Sequence, residues 1–177
     1  MISDMKPHKN KLCILLVICV FLLINGCAGP KVAFDLLTPP TQNADPLLNN
    51  AVIIETEVNP RINNYEKMDE TLKESLETAL KNANIFGTDT LKPYKIKANI
   101  LVASQAAASF GNFEGKLEVH YSLLDSNDDQ ILDEKIYTEA GSDEWSLVGA
   151  KRHRRARAVN IAKNVLQFVE ILQKKLK

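Results

Sequence analysis

KLEVHYSLLDSNDDQIL, running from Lys116 to Leu132, decides the fold class. Leu117, Val119, Tyr121 and Leu123 alternate with Lys116, Glu118, His120 and Ser122, which is the period of a strand with one face buried. Asp125 to Asp129 is a polar turn, and Gln130 to Ala140 reads as the next, less regular strand. Upstream, Ile96, Ala98, Ile100 and Val102 alternate with Lys95, Lys97 and Asn99, predicting a strand that pairs with the first through a hairpin around Ser109 to Asn112.

Working outward, Ala51 to Val58 is a β-branched run stopped by Asn59-Pro60. Asn63 or Asn64 then offers an N-cap, with Glu66, Asp69 and Glu70 near a helix start. Met68, Leu72, Leu76, Ala79, Leu80 and Ala83 fall at steps of three and four, one apolar stripe on a helix of about eighteen residues. Gly87 is expected to close it. A last helix begins near Ala150 and carries the stripe Ala158, Ala162, Val165, Val169, Leu172 and Leu176. The order β-α-β-β-β-α predicts a single α+β domain over residues 51–177, an antiparallel-rich four-stranded sheet with both helices packed on one face.

The start of the chain carries an address. Three lysines and one aspartate in residues 1–11 precede an apolar run from Leu12 to Ile24, a charged region followed by a hydrophobic one. That run is too short to cross a bilayer as a helix, which needs about 20 residues, and residues 1–26 read as a signal peptide. Its end, Leu23-Ile24-Asn25-Gly26-Cys27, resembles the lipobox of bacterial lipoproteins. The resemblance implies cleavage between Gly26 and Cys27, diacylglycerol on the Cys27 thiol, and acylation of the new amino group by a chain such as palmitate. Two or three chains anchor firmly, since each buried methylene contributes about 0.8 kcal/mol. Ala28 in place of aspartate implies sorting to the periplasmic face of the outer membrane.

Residues 27–50 hold Pro30, Pro39, Pro40 and Pro46 without a sustained period and read as a flexible tether. Extended, it reaches roughly 70 Å at about 3.1 Å per residue; Phe34, Leu36, Leu37, Leu47 and Leu48 are more apolar than a spacer requires, and the alternative is that part of it docks on the domain. Cys13 and Cys19 leave with the signal and Cys27 takes lipid, so neither a disulfide nor cysteine chemistry is expected in the mature chain. Its 19 basic and 21 acidic residues give no global attraction to nucleic acid.

The helix ending ALKNANIF, the strand LEVHYSLLDSNDDQIL and the closing helix resemble the small periplasmic lipoprotein domains of Gram-negative envelopes. Among these are the lipopolysaccharide-assembly lipoprotein, the activator lipoproteins of penicillin-binding proteins and the amino-terminal domain of the Tol system's propeller protein. GAKRHRRARAVNIAKNVLQFVEIL also resembles the last helix of a lipoprotein family sometimes labelled UDP-N-acetylglucosamine acyltransferase. A genuine acyltransferase of that name is a left-handed β-helix of hexapeptide repeats, and this chain contains none.

Lys151, Arg152, Arg154 and Arg155, with Arg157, form the strongest local charge signal. Cations at a helix N-terminus oppose the dipole by some tenths of a kcal/mol each, so their expected role is either pairing with the chain's own acids, Asp143 and Glu144 for instance, or an interaction surface. That surface would meet an envelope protein, lipopolysaccharide or phospholipid phosphates, or peptidoglycan carboxylates. Phe110 and Phe113, in a small-residue hairpin, and Trp145 are either core caps or further contacts. Asp125, Asn127 and Asp129 imitate an EF-hand start, but Gln130 replaces the required glycine. His8, His120 and His153 form no metal pair or triad, and no catalytic set, metal or cofactor is expected. The expected function is a non-enzymatic accessory or binding module in envelope assembly or maintenance; the alternative is a lipid, lipopolysaccharide or glycan carrier or sensor.

Overall fold

The computed structural model describes residues 32–64, 66–105, 114–142 and 149–177. Within these the order is β1 (Leu48–Val58), α1 (Met68–Ala83), β2 (Phe86–Gln105), β3 (Gly115–Leu124), β4 (Gln130–Ala140) and α2 (Gly149–Leu176). The four strands form one sheet in chain order. β1 and β2 are parallel, joined across α1, whereas β2, β3 and β4 form an antiparallel meander. This is the expected α+β architecture.

The register explains the alternation in the sequence. Ile54, Ile96, Leu123 and Leu132 stand side by side across the sheet, as do Val58, Ile100, Val119 and Ile136. These rows face the helices and join one core with Leu72, Leu76, Leu80, Val165, Phe168 and Leu172. Each fully buried Leu, Ile or Phe in it contributes about 1.5–3 kcal/mol relative to an exposed one. Tyr121 stacks on Phe168 with ring centroids 4.2 Å apart. Its hydroxyl donates to Asn164 Oδ1 at 2.8 Å, while Asn164 Nδ2 donates to the Ile136 carbonyl and to Thr138 Oγ1. A fully buried Asn inside a helix is thereby satisfied at both ends, as burial demands.

Three boundaries differ from the sequence expectations. Asn64 does cap α1, its Oδ1 accepting from Met68 N at 2.7 Å, but it does so across Lys67, which turns the chain in the left-handed region at φ 53°. At the other end Asn84 takes the left-handed position expected of Gly87. Gly87 lies inside β2, where a Cβ would sit 2.0 Å from the Asn49 carbonyl oxygen of β1. Absence of a side chain there permits close backbone approach rather than ending a helix. β2 also starts ten residues before the alternating run from Ile96, and between the Asn50–Asp89 and Val52–Tyr94 pairs it bulges outward, with Leu91 at the surface.

The largest correction concerns the tether. From Val32 onward the stretch is a strap laid on the helices, with a 3-10 turn at Phe34–Leu36 and with Val32, Ala33 and Leu37 buried in the core. The Leu37 carbonyl accepts from Asn82 Nδ2, Asn43 Nδ2 donates to the Ala83 carbonyl, and the Thr41 carbonyl accepts from Gln173 Nε2. Its partners lie on both α1 and α2, so the strap forms a third layer over the helices. Cys27, Gly26, Phe110, Phe113, Trp145, Asp143 and Glu144 lie outside the described residues, and with them the lipobox and the hairpin tip.

Candidate functional site

The basic start of α2 is the first region singled out by sequence. Arg155 is buried, only 5% exposed, and its guanidinium meets the strap: Nη1 to Asp35 Oδ1 at 3.0 Å and Nη2 to Asp35 Oδ2 at 2.7 Å. Two parallel charge-assisted bonds of this kind fix geometry as well as contribute energy. The guanidinium holds the Asp35 carboxyl below the ordinary carboxylate range. Arg157 pairs with Glu66, just before α1. Arg152 and His153 are engaged as well. Burial, then the neighbouring Arg157 charge, push the His153 imidazole below its ordinary value, against the opposing pull of Glu66.

The cluster therefore divides. Arg155 and Arg157 are clasps for the strap and for the entry to α1, and the acids they meet are Asp35 and Glu66, which sequence spacing could not nominate. Lys151 and Arg154 remain half-exposed on the same end of the helix. Asn160 Nδ2 donates to the carbonyl of Gly115, the first residue of β3, at 2.7 Å. Eleven residues of α2, 149–159, precede that level, a rise of about 16 Å at 1.5 Å per residue.

The second region is the face of the sheet turned away from the helices. Across it run Glu55, Lys97, Ser122 and Asp133 in one row and Glu57, Asn99, His120 and Lys135 in the next. Glu55, Glu57, Lys97, Asn99, His120 and Ser122 of these rows border an open, polar depression of about 270 Å³. His120 Nε2 lies 2.6 Å from Asp133 Oδ1, and Ser122 Oγ donates to that same oxygen at 3.0 Å. His120 holds the Asp133 carboxyl down, with help from the Ser122 hydroxyl. A Ser, a His and an Asp thus converge without forming a relay. The serine proton is directed to the carboxylate rather than to the imidazole, so the hydroxyl is not activated as a nucleophile. Lys116 and Tyr137 similarly surround Glu139 farther along the face.

Between sheet and helices there is little room. A cavity lined by Met68, Ala103, Leu117, Arg157, Asn160 and Ile161 measures about 20 Å³, the size of a single water. Among the described residues, no helix is long and apolar enough to cross a membrane.

No protein-family model matches the chain, and no curated protein matches it in sequence. Solved structures do. The Xanthomonas campestris protein XCC0632, of family DUF330, is similar with a TM-score of 0.57 and 12% identity over 76% of this chain and 90% of that one. The Chlamydia trachomatis protein CT253 is similar with a TM-score of 0.54 and 9% identity over 72% of this chain and 98% of that one. The likeness is one of fold.

Proposed function

We propose that the chain is a lipid-anchored, non-enzymatic binding module of the bacterial envelope, tied to the outer membrane through Cys27 and docking an envelope protein on the open face of its sheet. The carrying observation is the one-sided layering. Both helices and the strap cover one face, while the other presents two uninterrupted rows of mixed charge, Glu55 to Asp133 and Glu57 to Lys135. Mixed charge of this kind favours a protein surface of complementary pattern and sets specificity more than raw affinity.

The carrier alternative asks for an apolar pocket of about 300–1,000 Å³. Among the described residues, the cavity between sheet and helices holds about one water, the depression on the open face is polar, and the open groove of about 320 Å³ beside Pro40 and Thr41 is bordered by the charged Glu170, Lys174 and Lys177. Non-enzymatic action is supported by the way Ser122 and His120 both spend their polar atoms on Asp133.

Two measurements in cells test this. Alkyne-tagged palmitate should label the wild-type chain and not Cys27→Ala. A photo-crosslinking residue at Glu57 or Lys97 should capture one dominant protein, and the same residue at Lys73, on the outer side of α1, should not. Labelling without capture returns the carrier reading. Absence of labelling removes the anchor.

A further inference from the structure

The strap and the basic N-terminal end of α2 together orient the molecule. Val32 is buried against the core, and three residues later Asp35 is held by Arg155. The strap then runs toward the other end of α2, where the Thr41 carbonyl meets Gln173. Followed backwards it leads to the N-terminal end of α2. Cys27 lies five residues before Val32, so its Cα is within about 18 Å of that point at a fully extended 3.6 Å per residue.

We propose that the N-terminal end of α2 faces the bilayer that holds the Cys27 lipid, and that Lys151 and Arg154 bind its anionic phospholipid headgroups. The proposal rests on the lipid-anchor reading above. Two facts about charge carry it beyond proximity. Lys151 lies in the first turn of α2, where a basic side chain meets the positive end of the helix dipole and is disfavoured until an anion faces it. Arg155 and Arg157 obtain theirs from Asp35 and Glu66, on the strap and before α1. Lys151 and Arg154 are half-buried at this end of the helix, one turn and one residue before Arg155, which holds the strap three residues after Val32. Headgroup phosphates are the anions that a chain of this length brings within reach.

The orientation also assigns the other surfaces. The turn at Asp125–Asp129 belongs to the opposite end of β3 from Gly115. It points away from the bilayer, and the open face stands roughly upright, free to meet a protein in the periplasm.

The test uses the mature lipoprotein, purified from membranes and reconstituted in phosphatidylethanolamine vesicles containing phosphatidylglycerol, with headgroup spin-labelled lipid as quencher. A fluorophore is attached to Ala150→Cys in one preparation and to Ser126→Cys in another, both exposed positions. The expected result is strong quenching at position 150 and little at 126. It should weaken when phosphatidylcholine replaces phosphatidylglycerol, and weaken as much in the variant Lys151→Glu/Arg154→Glu, since a basic residue near an anionic surface contributes about fivefold in affinity. Equal quenching at both positions, or quenching indifferent to the charge reversal, overturns the proposal. So does capture of a protein at position 150 in native membranes in place of headgroup quenching. The intact mass of the same preparation separates the two readings: a mass with acyl chains leaves any failure with the orientation alone, and a mass without them overturns both.

Discussion

Tyr121 and Asn164 show how much a single polar pair determines inside this core. Burial pushes the Tyr121 hydroxyl well above its ordinary value, so it stays protonated and a donor at neutral pH. Tyr121→Phe keeps the stack on Phe168 but leaves Asn164 Oδ1 buried without a donor. The expected loss is about 1–3 kcal/mol, read as a lower denaturant midpoint at unchanged slope. Asp35 makes a different kind of prediction. Its carboxyl is depressed in the folded state by Arg155, so the stability it contributes is complete above the ordinary value of 3.8 and is lost as pH falls through the lower folded value. The advantage of wild type over Asp35→Asn in a denaturant titration should therefore narrow between neutral pH and about pH 3. Neither role could be read in the sequence. Tyr121 was legible as an inward residue from alternation alone, whereas the partners Asn164 and Arg155 lie 43 residues beyond Tyr121 and 120 beyond Asp35.

At the scale of elements, periodic segments with one wet and one dry face were legible almost to their ends. β3, β4 and α2 begin where the alternation and the stripe say, because solvent on one side and core on the other impose the pattern directly. Boundaries set by backbone geometry were not. A glycine four residues past a helix looks the same whether it caps that helix or admits a neighbouring backbone, and here Asn84 caps while Gly87 admits Asn49. Gly87→Ala must push β1 from β2 and should cost about 1–3 kcal/mol or more, with lost amide protection concentrated in those two strands. Lys67→Gly should act in the opposite sense. It relieves the left-handed residue before α1 at the loss of an exposed ion pair with Glu70, for a net gain of about 0.5–1 kcal/mol in thermal or denaturant unfolding.

At the scale of the whole molecule, the apolar residues of the strap hinted at docking, but its path and partners were not legible. Its prolines and lack of period resemble a spacer, yet Val32, Ala33 and Leu37 are as buried as the strands. An irregular segment has no repeat to betray its buried side; only the docking groove between α1 and α2 defines it. Limited proteolysis should accordingly leave residues 32–47 intact while the native fold persists, and Leu37→Ala should open the segment to early cleavage through a cavity costing about 2–5 kcal/mol. The basic cluster was legible as a signal but not as a division of labour, since its two structural members are recognised only by the acids that the fold brings to them.

The clasp between Asp35 and Arg155, and that between Thr41 and Gln173, join positions 120 and 132 residues apart. A ribosome makes the strap first and its binding groove last. Without α2 the strap loses both clasps, and a chain cut short at its carboxy end leaves it open to a holdase or protease. Closure of the strap therefore depends on α1 and α2 having come together, and an exposed Leu37 marks a chain in which they have not.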